Sequence, residues 1–133
     1  MLLTKKSEYA LLSLVSIAKS DKPKNVDVLS KELNISKSFL AKVMQNLAKN
    51  DIVISHRGVN GGFVLKKSYD KLTILEITTA AEEKIPSVFE CSPSVNSCPS
   101  DIANVCTIWP LLNNLQKKIN VFLEDLTLKD IAS

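Results

Sequence analysis

All three glycines of the chain fall within five positions, at Gly58, Gly61 and Gly62. Two β-branched or apolar runs flank them, Ile52-Val53-Ile54-Ser55 and Phe63-Val64-Leu65. Such runs are strand-forming. The segment between them, His56-Arg57-Gly58-Val59-Asn60-Gly61-Gly62, contains an Asn-Gly pair, which accepts positive φ in a tight turn. A β-hairpin with a glycine-rich tip that carries one arginine is therefore predicted.

Before the hairpin the chain reads as helices joined by a loop over Ser20 to Asn25 and a tight connection at Asn34-Ile35. Apolar residues recur at helical spacing from Ser7 to about Lys19, at Leu11, Leu12, Val15 and Ile17-Ala18. Pro23 breaks the next stretch. Asp27 is expected to cap a short helix with Val28, Leu29 and Leu33 on one face. Asn34 should end it in the left-handed conformation. Ser36 should cap a further helix reaching about Lys49, with Phe39, Leu40, Val43, Met44 and Leu47 on its apolar side. Two helices joined by Asn34-Ile35 form the outline of a helix-turn-helix, and the hairpin that follows would be its wing.

After the hairpin, Thr73-Ile74-Leu75-Glu76 has the form of a capping box and starts a helix that should run to about Glu83. Residues 85–99 carry Pro86, Pro93 and Pro99 and read as loop. Beyond Pro110, Leu112, Leu115, Ile119, Phe122 and Leu126 follow in steps of 3, 4, 3 and 4, a heptad seam. That helix could cover its own core. Pairing with a second copy is preferred, because so small an N-terminal portion is marginal alone. The expected architecture is mainly α with a small β-hairpin: a winged helix-turn-helix over residues 1–80, then a cysteine-bearing sensor loop and long dimerisation helix over residues 81–133.

Charge divides the same way. Residues 1–72 hold thirteen basic and six acidic residues, a net +7, whereas residues 73–133 hold four basic and eight acidic, a net −4. A basic half suits a polyanion-binding surface, although a solvated lysine-rich face would give the same count. No apolar run is long enough to span a bilayer, and the first residues lack the pattern of a secretory signal. A cytoplasmic protein is expected, with no membrane partner. Its cysteines, Cys91, Cys98 and Cys106, should then be reduced thiols, metal ligands or redox sensors. Their C-x6-C-x7-C array in a proline-bearing loop offers soft donors suited to an iron–sulfur cluster or zinc. A single histidine, no phosphate-cradling Gly-rich motif before a helix and no nucleophile–base constellation argue against an enzyme.

These features together resemble the Rrf2 family of winged-helix transcription regulators. The matching residues are Leu3-Thr4-Lys5-Lys6 with Tyr9-Ala10-Leu11; Leu33 through Leu40; Val53 through Arg57-Gly58 with Gly61 through Leu65; Leu72-Thr73-Ile74 and Ile77; the three cysteines; Trp109; and Leu126 through Ile131. The resemblance implies a homodimer that binds a palindromic double-stranded operator, acting as a repressor. It assigns Ser36, Lys37 and Ser38 to the head of the reading helix and Lys42 to phosphate one turn on. Arg57 would enter a minor groove, with Gly58, Asn60 and Gly61 letting the wing backbone come close. Ala41 stands where several members have a base-reading glutamate, so no operator sequence carries over.

In cluster-binding members three cysteines of this loop hold an iron–sulfur cluster, which implies Cys91, Cys98 and Cys106 here, with [2Fe-2S] and [4Fe-4S] both open. Trp109 stands where one branch has a ligating histidine. Glu8 matches an acidic position that supplies a carboxylate from the other subunit in another branch, and it is the fourth candidate ligand. The signal would be redox state, nitric oxide or iron supply. The alternative is a cluster-free regulator of the same fold, controlled by a protein partner or by direct thiol oxidation.

Overall fold

The computed structural model describes residues 3–87 and 107–132 of the 133-residue chain. The elements run α1 (Lys5–Ala18), α2 (Val26–Leu33), α3 (Lys37–Lys49), β1 (Val53–His56), β2 (Gly62–Leu65), α4 (Ile74–Glu82), α5 (Trp109–Asp125) and α6 (Leu128–Ala132). This is a winged helix-turn-helix with a long C-terminal helix. The core is a single apolar cluster in which Leu14, Leu29, Leu40, Met44, Leu47, Leu72, Ile77 and Leu128 are fully buried.

α1 begins earlier than its apolar spacing suggests. Thr4 is its N-cap, and the Thr4 hydroxyl accepts a hydrogen bond from the Lys6 N–H. Its inner face also differs from the expected one. Ser7, Ala10, Ser13, Leu14 and Ile17 are buried, while Leu12 is exposed. The small residues let α1 lie close against α4, and close packing outweighs burying every leucine.

α2 is capped by Asn25, whose side chain accepts from Val28 N, and not by Asp27. Asp27 sits instead in the first turn, where a negative charge suits the helix dipole. Asn34 does end α2 in the left-handed conformation, at φ 55° and ψ 49°. The tight turn continues with Ile35 N donating to Ser30 O and Ser30 Oγ donating to Ile35 O. α3 buries Leu40, Val43, Met44 and Leu47. Phe39, expected on the same side, lies at its edge and meets Tyr9 of α1 edge-on, with ring centroids 5.3 Å apart.

β1 and β2 pair antiparallel, with Val53 opposite Leu65 and His56 opposite Gly62. Lys24 joins β2 through paired backbone bonds with Phe63, which ties the wing to the α1–α2 connection. The turn is not built as the Asn-Gly pair suggests. Gly61 N donates to Gly58 O, and the positive φ values fall at Gly58 (111°) and Gly62 (152°). Gly61 is required for space: a Cβ there would stand 2.3 Å from His56 O. At Gly62 a Cβ would stand 2.5 Å from the Lys24 backbone.

Thr73 caps α4 by accepting from Glu76 N, which is half of a capping box. Glu76 does not return the bond; its carboxylate accepts from Lys67 Nζ at 2.8 Å. The seam expected along α5 also divides. Leu112, Gln116 and Leu123 are buried, and Ile119 and Leu126 pack against the core. Leu115 and Phe122 are exposed, as are Ile108, Leu111 and Val121. α5 therefore has two apolar sides: Leu112, Gln116, Ile119 and Leu123 share the core face, and Leu115 and Phe122 lie about 60–80° round the helix from Leu112. α6 then returns to the N-terminal core: Leu128 is buried and its N–H donates to Leu72 O.

Candidate nucleic-acid interface

The short turn at Asn34 brings the first turns of α2 and α3 together, close enough for Asp27 and Lys37 to pair. At the head of α3, Ser36, Lys37 and Ser38 are all exposed. Ser36 occupies the N-cap position of α3 as expected, but its side chain does not cap the helix; Ser36 Oγ lies 3.1 Å from Ser38 Oγ instead. The first-turn N–H groups and the positive end of the helix dipole lie at this exposed end, an arrangement suited to phosphate oxygens. Lys42, one turn further along, is exposed as well.

The wing closes one side of this face. A groove runs between the first turn of α2 and the hairpin, lined by Asn25, Val26 and Asp27 on one wall and by Ser55, His56, Arg57, Gly58 and Gly61 on the other. Asp27 Oδ1 is 2.6 Å from Lys37 Nζ. Asp27 thus lines the groove with Arg57 of the wing and pairs with Lys37 of α3, and both basic residues are exposed. Had either been buried, or the two been turned to opposite sides, one duplex could not meet both. Asn60, with Gly61 and Val59, borders a neighbouring hollow beside Lys22 and Pro23. His56, the only histidine, is exposed at the wing base.

On the other flank of α3, Lys5, Tyr9, Ser36, Ser38 and Phe39 line a second shallow cleft. Lys5 Nζ lies 5.9 Å from the centre of the Tyr9 ring and 2.8 Å from Glu8 Oε2. The Glu8 carboxylate raises the Lys5 pKa, first by hydrogen bonding and then by charge. Glu8 is exposed in the first turn of α1.

Two polar clusters were not anticipated from the sequence. The Glu82 carboxylate accepts from Thr4 N (2.9 Å), Thr4 Oγ1 (2.6 Å) and Ser7 Oγ (2.6 Å), which locks the start of α1 to the end of α4. Burial pushes its pKa up, but the bonds from Ser7 and Thr4 outweigh that and hold it below the ordinary 4.5. A signal for this existed. An acid in the last turn of a helix opposes the dipole, so it needs donors from elsewhere. In the second cluster, Lys24 Nζ reaches Ser16 Oγ and both Glu32 oxygens at 2.8 Å, joining α1, the Lys24 bridge and α2. Hydrogen bonds from Lys24 and Ser16 lower the Glu32 pKa.

Cys91, Cys98 and Cys106 lie outside the described residues. Among the described residues no three of His, Cys, Asp and Glu stand together as a metal site. No described helix is long and apolar enough to cross a membrane.

A winged helix-turn-helix with a basic, groove-forming face defines the class of helix-turn-helix regulators. The chain belongs within it to the Rrf2 family, described as iron-dependent transcriptional regulators, whose profile matches residues 3–133. It is 32% identical over 126 residues to a protein of Aquifex aeolicus described as an HTH-type transcriptional regulator, covering 94% of this chain and 87% of that one. It is 28% identical to the HTH-type transcriptional regulator IscR of Yersinia enterocolitica, covering 100% of this chain and 80% of IscR. Its fold is similar to that of CymR, the global cysteine regulator of B. subtilis, with a TM-score of 0.74 at 23% identity over 99% of this chain and 96% of CymR.

Proposed function

We propose that this chain is a DNA-binding repressor that grips a palindromic operator as a homodimer. The observation that supports the reading is Asp27, which lines the wing groove with Arg57 and pairs with exposed Lys37 at the head of α3. Ser36, Lys37 and Ser38 would meet the major groove and its flanking phosphates, with Lys42 on phosphate. Arg57 would enter the adjacent minor groove, and Gly58, Asn60 and Gly61 would let the wing backbone approach. This is a binding role and not an enzymatic one. Duplex DNA from the protein's own upstream region should be retarded by the wild type and far less by Arg57→Ala. Equal binding by both would remove the wing from the interface.

The outer side of α5 supports dimer formation. Ile108, Leu111, Leu115 and Phe122 are exposed at steps of 3, 4 and 7. A second α5 would cover them and yoke two heads at a half-site spacing. Leu115→Glu should convert a dimer to a monomer in sedimentation without unfolding the head.

Cys91, Cys98 and Cys106, with Glu8 from the other subunit, would hold an iron–sulfur cluster. The chemistry of the donor set supports this: three cysteines close together in the sequence offer soft thiolate ligands, which a reducing environment would keep available. Such a cluster supplies a centre that reacts to redox state, nitric oxide and iron supply. Glu8 would have to exchange Lys5 for that role. Anaerobic purification with visible absorption and iron and sulfide assays tests it. A coloured protein with matched iron and sulfide is expected. A colourless protein that still binds DNA would instead favour control by thiol oxidation or by a partner protein.

A further inference from the structure

The face assigned to DNA is not uniformly basic. Asp27 lines the groove opposite Arg57 and Gly58, and its carboxylate is paired with Lys37. The side chains of Lys37 and Asp27 are 64% and 59% exposed, so neither is held there by burial. A hydrogen bond from Lys37, then its charge, keeps the Asp27 carboxyl below its ordinary 3.8, so it is ionised at neutral pH. An exposed pair of this kind adds little to folding. The cap of α2 is supplied by Asn25, so Asp27 is not needed for that either. Its first-turn charge suits the α2 dipole, a small contribution at an exposed site, and beyond that it acts on an approaching polyanion. A phosphate that approaches Lys37 must displace the carboxylate or sit beside a like charge, and both weaken the contact.

We propose that Asp27 is a specificity-determining residue of the DNA interface, which positions Lys37 and withholds its charge from phosphates that meet the face out of register. The inference rests on the DNA-binding reading above. Affinity for any duplex comes mainly from neutralising phosphates, whereas affinity for the right duplex adds contacts to base edges. A carboxylate that weakens the first and spares the second widens the ratio between them.

The test is binding of a fluorescent mixed-sequence duplex across a KCl series by wild type, Asp27→Asn, Lys37→Ala and the double variant. Asp27→Asn should bind this non-operator duplex about threefold to tenfold more tightly, and its logarithmic salt slope should steepen by about one unit, as one more phosphate is neutralised. In the Lys37→Ala background the same change should alter affinity less than about twofold, because the effect runs through the lysine. A thermal melt of Asp27→Asn near that of wild type establishes that the variant is folded. Unchanged or weaker binding by a folded Asp27→Asn overturns the assignment, and so does an equal gain with and without Lys37. Wild type that binds no duplex even at low salt removes the DNA reading and this assignment together, whereas normal wild-type binding with an unchanged variant removes the assignment alone.

Discussion

The α1–α4 seam and the α2–α3–wing face are both polar where they matter, but they use polarity in opposite ways. At the seam, Glu82 takes three donors from Thr4 and Ser7, and α1 and α4 bury Ala10, Leu14 and Ala81. At the face, Lys37 and Asp27 form one pair in the open, and Ser36 leaves the α3 amides uncapped. Satisfied bonds next to a dry core stabilise the fold. Unsatisfied donors in water contribute little to it and remain available to a ligand. The comparison therefore predicts that changes at the seam act on melting and changes at the face act on binding.

The largest effect should come from the seam's core. Leu14 is fully buried in α1, so Leu14→Ala should cost about 2–5 kcal/mol and lower the melting temperature strongly. Protein that remains folded at low temperature should still bind DNA. Gly62→Ala comes next and tests the border between the regions. Its added Cβ meets the Lys24 backbone at 2.5 Å, and φ of 152° disfavours any side chain. A loss of about 1–3 kcal/mol is expected. DNA affinity should fall as well, because the wing is anchored at that bridge. A Gly62→Ala variant with wild-type melting and wild-type binding would show that the bridge holds nothing.

Glu82→Gln should cost less, about 1–2 kcal/mol, since hydrogen bonds to a carboxylate are worth more than this but Glu82 is only partly buried. Its pH dependence gives the sign. The folded-state pKa lies below 4.5, so the carboxylate's contribution is present above that value and is lost as pH falls through the depressed folded pKa. Wild type should therefore lose stability in acid more steeply than Glu82→Gln. Melting curves collected from neutral pH into acid would converge if the assignment is right and stay parallel if it is wrong.

How far the sequence discloses each region follows from the range of the forces involved. Helix–turn–helix–wing is a succession of local signals: Asn34 at a left-handed cap, β-branched strands, glycines at a hairpin tip. Each of these acts within a few residues, so each is readable. Glu82 meets Thr4 and Ser7 across nearly the whole N-terminal portion, and Lys37 meets Asp27 across a turn whose geometry had to be known first. The hydrophobic pattern also misleads where size matters more than polarity: Ser7, Ala10 and Ser13 are buried in α1 while Leu12 is not. In α5 the leucines and phenylalanine form one list in sequence but two sides in space. The wing's glycines were legible as a group, and their separate jobs were not, because Gly61 answers to the His56 carbonyl and Gly62 to the Lys24 backbone.

The smallest expected effect sharpens the comparison most. Arg57 is exposed on the wing, and replacing it by lysine keeps the charge. Stability should stay within about 0.5 kcal/mol of wild type, as for most surface changes away from caps and cores. The salt slope on a mixed-sequence duplex should also be unchanged, since the number of phosphates neutralised is the same. What lysine lacks is the flat, weakly hydrated guanidinium that fits a narrow minor groove. Preference for A·T-rich over G·C-rich duplexes should therefore fall while overall affinity holds. An unchanged A·T preference at an unchanged salt slope would mean that Arg57 acts through phosphate alone, and the wing would then position the head without reading the groove.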